Sequence, residues 1–213
     1  MNTTQQRLLS TGFEIARRQG LRALTVRGLA QQAGVNPGSF VYHFGTREHF
    51  IEVLIERWYG PLFEQMQLNA REGGSPRARL GALIAHLLDS VLEQGDFVGQ
   101  LFMDAAAGEP AVRRFVTSLG ERHIRLLLDV VAEAQSAGEI QEDEPIHVLM
   151  FVMAGVGLPA LLHHGWGERH PLPSGINDAL NRLAADRAHV HRRLRWALAG
   201  VSTGGNPACN DVP

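Results

Sequence analysis

Apolar residues recur every three to four positions in almost every window of this chain, and alternating β-branched runs are nearly absent, so the pattern reads as all-α. Leu9, Phe13 and Ala16 share a stripe with Leu8, Gly12 and Ile15, predicting a first helix from about Thr4 to Gln19, stopped by Gly20. Thr25 can cap a short helix through Leu29 and Ala30 to Gln32, and Ala33-Gly34-Val35 makes a tight turn. Asn36 caps the next helix with Pro37 at its first position, where the missing N–H costs nothing. That helix ends by Phe44-Gly45, and Thr46 opens a longer one through Phe50, Leu54 and Trp58 that Pro61 is expected to kink. After the Gly73-Gly74-Ser75-Pro76 break, helices are expected at 76–94, 97–107, 110–137 (which Gly120 can split), 144–164 and 176–200, about nine in all. From Thr203 the chain is Gly, Asn, Pro and Asp, with too little apolar content to pack, and reads as a mobile tail over 203–213.

At 213 residues and 45% hydrophobic, the chain can bury a proper core. The single cysteine, Cys209, excludes a disulfide scaffold and a zinc–thiolate site and points to a reducing compartment, the cytoplasm. The opening residues lack the basic-then-apolar order of a secretory signal. The most apolar stretch, Val148 to Leu162, is short and broken by Gly155, Gly157 and Pro159, so no membrane partner is expected. The net charge of −2 hides an asymmetry: every basic residue is Arg, and up to Arg47 six of them (7, 17, 18, 22, 27 and 47) face one acid, Glu14. A basic N-terminal fifth on an acidic body is what a polyanion-facing module would carry.

Thr25–Phe44 is a helix, a glycine turn and a second short helix, the helix-turn-helix arrangement. At 100° per residue, Phe40 and Phe44 fall together toward the core beside Leu29 and Ala30, while Tyr42 falls opposite, with Gly38 and Ser39 beside it and Val41 and His43 on the flanks. Such a face suits a DNA groove: hydroxyl and imidazole can bond base edges or phosphates, and Val41 can pack on a thymine methyl. The run from Gly20 through Thr25-Val26, Ala33-Gly34-Val35 and His43-Phe44 to Arg47 resembles the N-terminal signature of the tetracycline-repressor-like (TetR) transcriptional regulators, over about residues 8–54.

The resemblance implies an N-terminal three-helix DNA-binding domain (1–48) and a larger helical effector-binding and dimerisation domain (49–202). Carried over position by position, Thr25, Arg27 and His43 would reach phosphate or the groove edge. Asn36, Pro37, Gly38, Ser39, Val41 and Tyr42 would form the reading helix. Arg47, in place of the usual Lys at the start of the fourth helix, would contact phosphate beside the helix N-terminus. Val41 departs from the usual Tyr, Gly28 from a polar residue, and Gly12 and Ala16 from larger apolar groups.

The remaining chemistry is sparse. His163, His164, His170, His189 and His191 cluster in sequence but diverge at helical spacing, so no metal site is expected. No nucleophile elbow, phosphate loop or dinucleotide fingerprint occurs, and the chain reads as a non-enzyme without cofactors. In the body, Trp58, Phe63, Met66, Phe102, Met103, Phe115, Met150 and Met153, with the polar His86 and His123, are the candidates to line a cavity for a small, largely apolar effector. Asp104 and His147 are further polar candidates there.

From Ile176 to Val201, apolar positions and Arg187 alternate at spacings of 4 and 3, the repeat of a helix-packing seam. The expected dimer interface is Met153, Gly157, Leu161, Leu180, Leu183, Arg187, Val190 and Leu194, with Arg187 paired to Asp178 or Asp186 of the partner subunit. The function expected is a homodimeric transcriptional regulator, a repressor released from a palindromic double-stranded DNA operator by its effector. The alternatives are a constitutive or architectural DNA-binding protein without effector control and a helical metabolite-binding module. Loss of DNA binding on adding effector separates the first from the second, and salt-dependent DNA retention separates both from the third.

Overall fold

Thr25, Asn36 and Thr46 each lend a side-chain oxygen to a backbone N–H two or three residues on, and those three caps set the register of the N-terminal third. Thr25 accepts from Gly28 at 3.1 Å, Asn36 from Gly38 at 2.7 Å and Thr46 from His49 at 3.1 Å. In the computed structural model they open α2 (Val26–Gln32), α3 (Pro37–Phe44) and α4 (Arg47–Asn69), behind α1 (Thr3–Gln19). The structure describes residues 3–163, 173–184 and 186–204, and the side chains at 161, 162, 180 and 181 lie outside that description, as does the expected tail from residue 205. The body is α5 (Pro76–Glu93), α6 (Gly95–Ala106), α7 (Pro110–Ser118), α8 (His123–Ser136), α9 (Pro145–Leu162), α10 (Ser174–Leu183) and α11 (Arg187–Gly200). Among the described residues there is no strand beyond an isolated bridge between Ile140 and Ser202.

All-α architecture is therefore as expected, with two long regions each divided. The 110–137 region breaks at a 3-10 turn, Leu119–Glu121, around Gly120, and Arg122 leaves helical geometry before α8 begins. The 176–200 region breaks because Asp186 caps a new helix, accepting from His189 N–H at 3.0 Å. That second break corrects the seam reading: the 4–3 repeat runs across two helices, so its positions do not form one continuous stripe.

Two apolar cores share α4. Phe50, Ile51, Leu54 and Ile55 belong to the first, with α1–α3, and Tyr59, Leu62 and Met66 to the second, with α5, α8, α9 and α11. The first core also takes in Phe97 and Leu101 of α6 and Ala111 and Val112 of α7, so the N-terminal helices are packed directly onto the body. Each such large side chain, fully buried, contributes roughly 1.5–3 kcal/mol. Gly12 is required here: a Cβ would stand 2.6 Å from the Phe50 ring, so only glycine lets α1 lie this close to α4. Pro61 lies inside α4, which runs on to Asn69.

Candidate nucleic-acid interface and ligand cavity

The outer face of α2 and α3 carries the expected groups. Phe40 and Phe44 are buried against Phe50, with ring centroids 5.3 and 4.8 Å from it. Tyr42 on the opposite side is 85% exposed and Val41 57%. His43 packs edge-on against Tyr42. Arg27, Asn36, Pro37 and Gly38 are exposed and Ser39 partly so. Thr25 accepts its capping bond, which leaves its own O–H free to donate to a phosphate oxygen. The turn between the helices is held by Arg7, which donates to the carbonyls of Ala33 at 2.5 Å and Gly34 at 3.2 Å. No spacing in the sequence singles out Arg7, since its partners lie 26 and 27 residues away.

Arg47 does not join that face, which corrects the phosphate role expected of it. Its Nε donates to Leu24 O at 2.6 Å and one terminal nitrogen to Leu21 O at 2.9 Å. The guanidinium also grips Glu109 with bonds of 3.2 and 3.0 Å. Glu109 is almost fully buried at the start of α7. Asp104, expected near the cavity, instead accepts from Leu21 N–H at 2.5 Å beside Gly20, whose φ of +83° turns the chain out of α1. Burial pushes the Asp104 carboxyl up, against the pull of the Leu21 N–H and the Arg22 charge. The two buried acids thus straddle the α6–α7 corner and hold, from the body side, the 20–24 segment that leads into α2. Sequence reasoning missed this clamp because its partners are 62 and 83 residues apart.

Inside the body lies a cavity of about 140 Å³. Of the ten residues expected to line an effector site, Trp58, Phe102, Phe115, His123 and Met153 do so. Five do not. Phe63 stacks on Tyr59 from outside the lining, Met66 is sealed in the core, and His86 and Met103 are partly buried elsewhere. Met150 is 62% exposed on the outside of α9. His147 is also at the surface, bonded to Asp143 at 3.0 Å. Because α9 is apolar on nearly every side, its pattern could not say which Met faces inward.

Tyr59 is the cavity's polar anchor: its hydroxyl lies 2.8 Å from His123 Nδ1. Burial, and then the Arg122 charge, holds His123 down at about 4, and burial pushes Tyr59 up to about 12, so both are neutral at pH 7. Arg122 sits over the Tyr59 and Phe63 rings at 4.4 and 5.1 Å and is held by Glu56 through bonds of 2.8 and 2.7 Å.

Four of the residues expected at the dimer interface, Met153, Gly157, Val190 and Leu194, are turned inward, a further correction. Val190 and Leu194 are buried among α5, α8 and α9 of their own subunit, and Met153 and Gly157 line the cavity. Arg187 pairs within the chain, with Asp89 at 2.8 Å and Glu93 at 3.3 Å, which removes the reason to seek its partner in another copy. Leu183 is 38% exposed, and the side chains of Leu161 and Leu180 lie outside the described residues. The apolar surface lies elsewhere: Met150, Phe151 and Leu158 of α9 and Trp196 of α11 are each more than half exposed, and Phe151 reaches Gly200 of α11. His189 bonds Asp186 and His191 bonds Asp89, and no group of three or more metal-ligating side chains gathers among the described residues. Nor, among those residues, is any helix long and apolar enough to cross a membrane.

Residues 8–54 match the family of bacterial regulatory proteins described as the tetR family. The chain is similar to the HTH-type transcriptional repressor KstR2 of Rhodococcus jostii (strain RHA1), 30% identical over 84 residues that cover 39% of this chain and 41% of that protein. It is also similar to the HTH-type transcriptional repressor NemR of Escherichia coli (strain K12), 24% identical over 85% of this chain and 94% of NemR. The transcriptional regulator FadR from Bacillus subtilis, solved in complex with stearoyl-CoA, has the same fold, with a TM-score of 0.66 at 15% identity over 92% of this chain and 98% of FadR.

Proposed function

The N-terminal domain of this chain is that of the tetR family of bacterial regulatory proteins, and on that premise we propose that the protein is a cytoplasmic, homodimeric repressor released from DNA by a small molecule. The observation that carries the reading is the α3 face, where Tyr42 and Val41 stand out from a fully buried Phe40–Phe44 back. A helix so anchored can enter a major groove as a rigid body. Residues 1–48 serve as the DNA-binding head and 49–202 as the body; Thr203, where the tail was expected to begin, donates its hydroxyl to Gly138 O at 2.7 Å. Thr25, Arg27 and His43 take phosphate and groove-edge contacts, while Asn36 to Ser39, Val41 and Tyr42 meet the bases. The names of KstR2 and NemR favour repression, and the FadR complex favours control by a ligand held in the body.

The cavity touches α4, α6 and α7 through Tyr59, Leu101 and Phe115, and α6 and α7 are the helices whose Asp104 and Glu109 grip the head. A ligand that moves the α6–α7 corner therefore moves the 20–24 segment and α2 with it. It releases DNA only by preferring the separation of heads that does not fit the operator, and a few kcal/mol of preference suffice. Dimerisation uses the α9–α11 surface, since Met150, Phe151, Leu158 and Trp196 are large apolar groups left exposed on two helices that pack together, and such a surface calls for a partner. Two heads on a two-fold axis read an inverted repeat with half-sites about 34–36 Å apart or a multiple of that.

Selection of bound duplexes from a random pool tests the reading: an inverted repeat is expected, and a single asymmetric half-site would overturn it. Tyr42→Ala should change which bases are selected, by about 1–3 kcal/mol at the positions it reads.

A further inference from the structure

The cavity's chemistry is narrow enough to name the class of molecule it takes. Its walls are apolar side chains apart from the Tyr59–His123 pair and the indole of Trp58, and no Asp, Glu, Lys or Arg lines it. Arg122, close by, is spent on Glu56 and on the Tyr59 and Phe63 rings. A charged ligand would be stripped of water there with nothing to replace it. At about 140 Å³ the space suits a single ring with a short substituent, since apolar protein cavities near ~150 Å³ take up benzene. Phe102 both lines the cavity and is 45% exposed, which puts it at the mouth.

The Tyr59 hydroxyl and His123 Nδ1 stand 2.8 Å apart, and we assign the phenol as donor and the imidazole nitrogen as acceptor. With Nδ1 accepting, the neutral imidazole carries its hydrogen on Nε2, and that N–H is what remains for a guest. We propose that the cavity takes a small, uncharged, single-ring molecule bearing one hydrogen-bond acceptor, in particular an aryl carbonyl compound, whose oxygen accepts from His123 Nε2–H. The proposal rests on the reading of the body as an effector domain and adds the ligand's class to it.

Calorimetric titration of the full chain with three probes tests it: acetophenone, α-methylstyrene (the same shape with =CH2 for =O) and benzoate. Acetophenone should bind saturably, α-methylstyrene about tenfold more weakly for want of the hydrogen bond, and benzoate not at all. His123→Leu should bring acetophenone to the affinity of α-methylstyrene and leave the latter unchanged. Gly157→Phe should fill the cavity and abolish binding while circular dichroism stays helical, because replacing glycine within α9 favours the helix. Absence of acetophenone binding, benzoate binding as tightly as acetophenone, equal affinities for the two isosteres, or unaltered binding to a folded Gly157→Phe chain would each overturn the assignment. DNA release is measured separately, with acetophenone added to the chain on its selected duplex. Binding without release would leave the ligand class standing and overturn the effector-controlled reading instead.

Discussion

Replacing Glu109 by Gln separates a structural lock from a DNA contact at Arg47. In the native chain the Arg47 guanidinium bonds Glu109 at 3.0 and 3.2 Å and the carbonyls of Leu24 and Leu21 at 2.6 and 2.9 Å. The Glu109 side chain is 6% exposed and that of Arg47 24%. Breaking a fully buried pair from one side costs about 3–5 kcal/mol, and the water that reaches Arg47, with the two carbonyl bonds it keeps, reduces this to about 2 kcal/mol. For a chain of this length that lowers Tm by roughly 4–8 °C. Urea unfolding of the wild type, Glu109→Gln, Arg47→Gln and the double variant should give non-additive losses, with a coupling of about 1 kcal/mol or more. Arg47→Gln should also leave the salt dependence of DNA binding unchanged, since this guanidinium neutralises no phosphate. A salt slope smaller by about one unit, with stability unaltered, would refute the lock and restore Arg47 to the DNA face.

Three further outcomes follow from the geometry. Met150→Glu with Trp196→Arg should give a folded monomer in sedimentation, whereas Leu194→Glu, placed in the core, should cost several kcal/mol of stability; an intact dimer in the first case would remove the α9–α11 face as the interface. His123 titrates near 6.5 when unfolded and near 4 when folded, so the unfolded chain binds the extra proton and stability falls as pH drops from about 6.5 to 4, by about 3 kcal/mol. His123→Gln should flatten that part of the curve in urea midpoints taken at pH 4.5 and 7, and an unchanged slope would show that the ring is not held neutral. Gly12→Ala should destabilise by about 1–3 kcal/mol by driving Phe50 from its place, and a melting temperature equal to wild type would show that α1 can slide to make room.

The chain's local grammar was legible without coordinates. Thr25, Asn36 and Thr46 are caps because their oxygens reach backbone N–H groups two or three residues away, a distance that sequence spacing alone determines. The inward Phe40–Phe44 pair and the outward Tyr42 follow likewise from 100° per residue. These are interactions within one helix or one turn, so the composition and order of a few neighbours were enough to place the reading face. Gly120 marked the break at Leu119–Glu121, whereas the one before Asp186 was less visible, since a helix continues or stops by small local differences that packing can outweigh.

What depended on segments distant in sequence was decided only by the tertiary structure. Arg47 looked like a phosphate ligand because it stands where the resembled family has a phosphate-binding Lys, and it became a lock because Glu109, 62 residues on, is brought to it by the α6–α7 corner. Arg187 looked like an interface charge until α5 placed Asp89 and Glu93 beside it. Met153 and Met150 share one apolar helix, yet one lines the cavity and the other faces outward, because α9 is apolar on nearly every side and periodicity gives no preference when every face can be buried. Sequence order determines which side chains share a helix face. Which of those faces meets another helix, a cavity or solvent depends on how the helices pack, and that is a property of the whole chain at once.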